Sequence, residues 1–184
     1  MNVARLKVMT VPQYLAWGDS QREKLRAELI NGQIVAMAPE RIAHNRAKGS
    51  AFVTLRQAVG VAHLPCEVFT DGVTVPIDPH TAYVPDVLVN CGPRLPGGEM
   101  IASAPIIVVE VISPTSLHSD TSAKLFGYFK LPSVRHYLVV DPEARTITYH
   151  KRTEDGALSA RTFHSGTLRL DPPGLGIEVA DLIE

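Results

Sequence analysis

Apolar and polar positions follow two periods along this chain, and the switches between them mark its elements. Thr10-Val11-Pro12 ahead of QYLAW sets a capping hydroxyl and a first-turn proline before apolar residues at helical spacing, which predicts a helix start. A short helical piece over Gln21 to Arg26 leads into Glu28-Leu29-Ile30-Asn31-Gly32-Gln33-Ile34-Val35-Ala36-Met37. Asn-Gly between two such runs predicts a hairpin, and Pro39 ends it. Ile42 to Val59 repeats apolar residues at a 3.6-residue period, a helix of about five turns with Gly60 as its stop. Cys66 to Val75, with Asp71-Gly72 inside, reads as strand, turn and strand, and Tyr83 to Asn90 as one strand opened by Pro85. Residues 91–105 are a Gly- and Pro-rich loop. Ile106 to Ile112 and Val134 to Val140 are continuous apolar runs, the pattern of strands buried on both faces, and Ser116 to Lys130 between them reads as a helix. Ile147 to His150 reads as an edge strand, and strand and turn pieces follow around Asp171-Pro172-Pro173-Gly174.

Strand, helix and strand in succession argue for an α/β unit inside a mixed α/β sandwich. At 184 residues the chain is expected to form one domain over 1–184. A chain of this length buries roughly 70% of its unfolded surface and folds without a disulfide or a structural metal. Hydrophobic residues at 45% and charged residues at 20% exclude a disordered or collagen-like chain. Lys plus Arg is 18 against 19 for Asp plus Glu, so a globally basic nucleic-acid binder is not indicated, although a local basic face is compatible with that balance. Cys66 and Cys91 lack zinc-like spacing and are expected to be reduced, partly buried thiols of a cytoplasmic protein. The N-terminus lacks the apolar core of a signal peptide, and no stretch is apolar for long enough to span a membrane.

Glu110, inside IIVVEVI, stands among six aliphatic residues, where an unpaired charge costs several kcal/mol. It is neutral, or compensated by a cation or metal, or turned to solvent at a strand end. Asp86 opens an otherwise apolar strand, where it either bonds the neighbouring turn or joins Glu110. Two acids on adjacent buried strands repel unless a divalent ion lies between them, and oxygen ligands suit Mg²⁺ or Mn²⁺. Asp120, Lys124 and Tyr128, four residues apart, share one helix face, as an exposed Asp–Lys pair or as a group reaching toward a phosphate.

Pro85-Asp86, Glu110-Val111-Ile112-Ser113-Pro114, Asp120-(x)3-Lys124-(x)3-Tyr128 and His136-Tyr137-Leu138-Val139-Val140-Asp141-Pro142 resemble, in this order, motifs of the Uma-two family. This is a bacterial family of candidate endonucleases in the PD-(D/E)XK, restriction-endonuclease-like superfamily. Glu28-Leu29-Ile30-Asn31-Gly32, Met37-Ala38-Pro39 and His44 also fit its pattern, so the resemblance runs from Thr10 to Lys151.

The resemblance implies an α/β, restriction-endonuclease-like core of helix, three strands, helix and strand. A mixed central sheet, an N-terminal helix and hairpin, and extra C-terminal strands would complete it. It implies Asp86 and Glu110 as the paired acids, which with the Val111 carbonyl would hold Mg²⁺ or Mn²⁺. The lysine expected two residues after the second acid is replaced by Ile112, and Lys124 matches the lysine moved to the following helix. Glu28 completes the metal shell or is a solvated strand charge; His44 contacts phosphate or bonds locally. The remaining histidines show no metal spacing. The implied activity is Mg²⁺-dependent hydrolysis of phosphodiester bonds in DNA, in a superfamily where a homodimer is a common form. The alternative is a nuclease-fold protein without catalysis that binds nucleic acid or protein. A hydrolase of another type lacks support, because no GxSxG motif is present.

Overall fold

The computed structural model describes residues 8–20, 26–112 and 118–183, with the side chains of 118–121 also outside the description. The expected helix over Gln21 to Arg26 falls almost wholly outside the described residues, as do Ser113-Pro114, the start of the helix at Ser116 and the side chain of Asp120. At the start of helix α1 (Val11–Ser20) the amide of Thr10, just before the helix, donates to Gln13 Oε1 at 2.9 Å, one of the two bonds of a capping box. Strands β1 (Ala27–Ile30) and β2 (Gln33–Ala36) form the expected hairpin. Asn31 and Gly32 between them have φ of 50° and 77°, the left-handed pair that a two-residue turn of this type requires.

Helix α2 (Ile42–Val61) runs through Gly60 to Val61. Then come β3 (Cys66–Thr70), β4 (Val75–Asp78), β5 (Thr81–Tyr83), β6 (Val87–Cys91) and β7 (Pro105–Val111). Helix α3 (His118–Tyr128), β8 (His136–Asp141), β9 (Thr146–Arg152), β10 (Leu158–Phe163), β11 (Thr167–Leu170), β12 (Leu175–Glu178) and a last short helix α4 (Val179–Leu182) complete the chain. The central six-stranded sheet has the order β10-β9-β8-β7-β6-β3, with β7 and β8 parallel and the other neighbours antiparallel. A four-stranded sheet has the order β2-β1-β5-β4, and β11 pairs with β12 alone. The core order α2, β3, β6, β7, α3, β8 is the expected helix, three strands, helix and strand.

Alternation along the central strands divides the core. Val87, Val89, Ile107, Val109, Val111, Leu138 and Val140 pack with Ala47, Ala51, Leu55 and Val59 of α2 and with the β11–β12–α4 unit. Leu88, Val108, Tyr137 and Val139 pack with Tyr128, Phe129, Val75, Ile77 and Tyr83. The sheet is thus covered on both sides, which explains the continuous apolar runs.

Four expectations are corrected. Tyr83 to Asn90 is two strands in two sheets: Pro85 lacks an amide and forces its predecessor out of line, so the ladder breaks at Val84-Pro85-Asp86. Likewise β3 and β4 are not a hairpin, because the Asp71-Gly72 turn passes the chain from one sheet to the other. Strand β9 is internal, since β10 pairs along its outer side. Cys66 and Cys91 are joined in a disulfide rather than reduced; they face each other across the β3–β6 ladder, a register that a separation of 25 residues does not reveal. Among the described residues no helix is long and apolar enough to cross a membrane.

Candidate active site

The break after β5 places Asp86 at the mouth of β6. Since Val87 pairs with Val109, one step further along the ladder sets Asp86 beside Glu110. Glu110 falls on the α3 side of the sheet with Val108 and meets Lys124 and Tyr128, whereas Asp86, in the break before β6, meets His44 of α2. Asp86 is 4% exposed and Glu110 9%. The Val111 amide donates to Asp86 Oδ2 at 2.8 Å, while His44 Nε2 lies 3.0 Å from Asp86 Oδ1.

Helix α3 presents Lys124 and Tyr128, one turn apart, to the same point. Lys124 Nζ lies 3.2 Å from Glu110 Oε1 and 3.0 Å from Glu28 Oε1. The Tyr128 hydroxyl donates to Glu110 Oε1 at 2.9 Å. Glu28, on β1, also accepts the Val84 amide at 2.8 Å, which ties the small sheet to the strand break. Tyr83 supports the lysine, its ring centroid 5.7 Å from Nζ and 5.2 Å from the Tyr128 ring.

Burial dominates the electrostatics here. It pushes the Glu110 carboxyl up to about 8; the Lys124 charge opposes the rise, and Asp86 and Glu28 add to it. For Lys124 burial works against the ammonium, but Glu110 and Glu28 outweigh it and hold the group above the ordinary lysine range. Tyr128 is raised well above an ordinary tyrosine, chiefly by burial and then by Glu110. Lys124 and Glu110 thus titrate as one tightly coupled buried pair, in which burial favours the neutral form of each and their contact favours the charged forms.

A second cluster adjoins the first through Asp86. Glu40, in the loop just before α2, and Lys48, on the helix, flank His44 at intervals of four residues. Lys48 Nζ lies 2.6 and 2.5 Å from the two Glu40 oxygens, 2.8 Å from Asp71 Oδ2 and 4.0 Å from Asp86 Oδ1. Arg26 bridges Glu40 and Asp71 from outside. Burial raises the Glu40 carboxyl, but Lys48 and Arg26 overcome it and bring the group down to about 2. Burial lowers His44, yet its bond to Asp86 wins, so the imidazole is held above its ordinary range.

Of the sequence-predicted site residues, Glu28, His44, Asp86, Glu110, Lys124 and Tyr128 come together, with the Val111 peptide against Asp86. Asp120 lies outside the described side chains. Sequence reasoning passed over Arg26, Glu40, Lys48 and Asp71. The spacing Glu40, His44, Lys48 was a visible signal for part of that group; Arg26 and Asp71, 45 residues apart, had none. Ligand-capable atoms of Glu40, His44 and Asp86 lie within 4.8 Å of one another. With Glu110 and Glu28 close by, the donors are mostly carboxylate oxygens, a set that fits a hard divalent ion.

A family model described as "Uma2: Putative restriction endonuclease" matches residues 11–182. Two curated proteins of Synechocystis sp. are similar over most of their length. "Uncharacterized protein slr1290" is 28% identical over 173 residues, covering 91% of this chain and 86% of the relative. "Uncharacterized protein sll1609" is 26% identical over 158 residues, covering 84% and 87%. Among solved structures, a "putative nuclease belonging to DUF820" from Anabaena variabilis superposes with a TM-score of 0.75 at 17% identity, covering 95% of this chain and 97% of that one. At that identity the likeness concerns the fold.

Proposed function

We propose, from the premise that this chain belongs to the Uma2 family, that it is a divalent-metal-dependent endonuclease hydrolysing phosphodiester bonds in DNA. The observation that carries this reading is the Asp86–Glu110 pair at the β6–β7 mouth, with Lys124 bound between Glu110 and Glu28. Asp86 and Glu110, with the Val111 carbonyl, would hold Mg²⁺ or Mn²⁺. That carbonyl is suited to the role, because an extended residue turns its amide and carbonyl to the same side and the Val111 amide already faces Asp86. When bound, such an ion polarises the scissile phosphate and lowers the pKa of an attacking water.

The chain's own residues do the rest. Lys124 orients the attacking water and offsets charge that builds on the phosphate oxygens. Glu28 and Tyr128 fix Lys124 and Glu110, so the reacting groups need little reorganisation. His44 sits at the open side of Asp86 and can donate to a phosphate oxygen. A second reading, a nuclease-fold binding module, has one observation in its favour: Glu110 Oε1 already receives both Lys124 and Tyr128.

Incubation of supercoiled plasmid DNA with purified protein and Mg²⁺ or Mn²⁺ tests the proposal. Nicked and linear products, absent with chelator and with Asp86→Ala, are expected. DNA retained without cleavage under any divalent ion moves the protein to the binding-module reading.

A further inference from the structure

Lys48 is 3% exposed, yet it is a lysine on the helix that covers the sheet's apolar face. Its ammonium is ringed by both oxygens of Glu40 and by Asp71 Oδ2, all within 2.8 Å, with Asp86 Oδ1 at 4.0 Å. His44 Nε2 stands beside that shell, 3.0 Å from Asp86 Oδ1 and 4.0 Å from Glu40 Oε1. Two carboxylates on one buried cation, with a third carboxylate and an imidazole beside it, gather the donor types that divalent ions take in phosphodiesterase centres. Lys48 fills the space on the Oδ1 side of Asp86, while the other oxygen accepts the Val111 amide.

We propose that the Lys48 ammonium is a built-in cation standing in a second divalent-ion position beside Asp86, so that the centre accepts one metal ion rather than two. The proposal rests on the metal-dependent reading of the Asp86–Glu110 site and deepens it. Charge supports it. With Lys48 present, Glu40, Asp71 and Asp86 face Lys48, Arg26 and the His44 imidazole. Without Lys48 the same three carboxylates keep only Arg26 and His44. Negative charge is then left uncompensated beside Asp86, where a divalent ion can take the place of the ammonium. Tethering also matters: an ammonium on a side chain cannot dissociate, so it keeps Glu40 and His44 arranged around Asp86 at any metal concentration. An ordinary buried ion pair tying α2 to the Asp71 turn would share these contacts but would leave the metal count untouched.

The count is therefore the test. Free Mn²⁺ is followed by electron paramagnetic resonance, with calorimetry in parallel, for the full-length parent, Lys48→Met, Lys48→Gln and Lys48→Arg. The two neutral variants are expected to take one more Mn²⁺ per chain than the parent, and Lys48→Arg the same number as the parent. Equal counts in the parent and the folded neutral variants overturn the proposal. Two ions in the parent overturn it without any variant, should both neutral variants fail to fold. A parent that binds none beside a Lys48→Met protein that binds one would sink the metal-nuclease reading while leaving the Lys48 inference standing.

Discussion

The Val111 amide donates to Asp86 Oδ2 at 2.8 Å, so the strand that carries Glu110 also aims the carboxylate beside it. This bond stands where Pro85 has interrupted the ladder, and it makes the position of Asp86 a property of the backbone. His44 holds the other Asp86 oxygen, which leaves the side chain little freedom to turn away from an ion.

Metal binding should therefore appear as stability. An ion that binds the folded chain alone stabilises it by about 2.7 kcal/mol at one hundred times Kd. Thermal melts of the parent are expected to shift upward with millimolar Mg²⁺ or Mn²⁺, and those of Asp86→Asn to lose most of that shift. An equal response in the two proteins would remove Asp86 from the metal shell.

Lys124 is expected to matter twice. Lys124→Met should lower cleavage by roughly 10²–10³-fold, the usual effect of losing one group that stabilises the transition state. It should also destabilise the fold by about 3 kcal/mol, because Glu28 and Glu110 lose the cation between them. Adding Glu110→Gln to Lys124→Met should return part of the stability and none of the activity. Strictly additive denaturant midpoints across that cycle would show that the two groups are not coupled.

Burial brings His136 down to about 4, and it is held between the Tyr149 hydroxyl at 2.7 Å and the Pro172 carbonyl at 2.5 Å. A histidine whose folded pKa is depressed binds its proton more readily when unfolded. Its contribution is thus complete above about pH 6.5 and is lost as the pH falls toward 4. The loss over that window should be of order 2–3 kcal/mol. Denaturant melts between pH 7 and 4 should show this decline in the parent and a flatter profile in His136→Gln.

Gly127 lies one residue before Tyr128 on α3, and a Cβ there would stand 2.5 Å from Tyr83 Cε2 and 2.9 Å from its hydroxyl. Gly127→Ala normally favours a helix, but here it must displace the ring that faces Lys124. A net loss of about 1–3 kcal/mol is expected, read as a lower Tm. A raised Tm would mean that Tyr83 moves aside freely.

Much of this molecule was legible along the chain because its signals are short-range. Apolar runs at Ile106 to Ile112 and Val134 to Val140 declare strands covered on both faces, since each residue reports its own burial. Asn31-Gly32 declares its turn because few other pairs tolerate two left-handed residues. Glu110 marked itself by standing charged among aliphatics, and the four-residue step from Lys124 to Tyr128 set both on one helix face.

Tertiary structure decided whatever depends on which distant segments meet. No local pattern announces that Arg26 reaches Asp71, that His44 meets Asp86 across 42 positions, or that Cys66 registers against Cys91. Nor does one announce that a lysine on α2 is buried. A helix period assigns Lys48 only to a face, and the carboxylates that make its burial tolerable come from the loop before α2, the turn after β3 and the mouth of β6. The charge balance of this site is a sum over elements remote in sequence, and only their packing brings the terms within reach of one another.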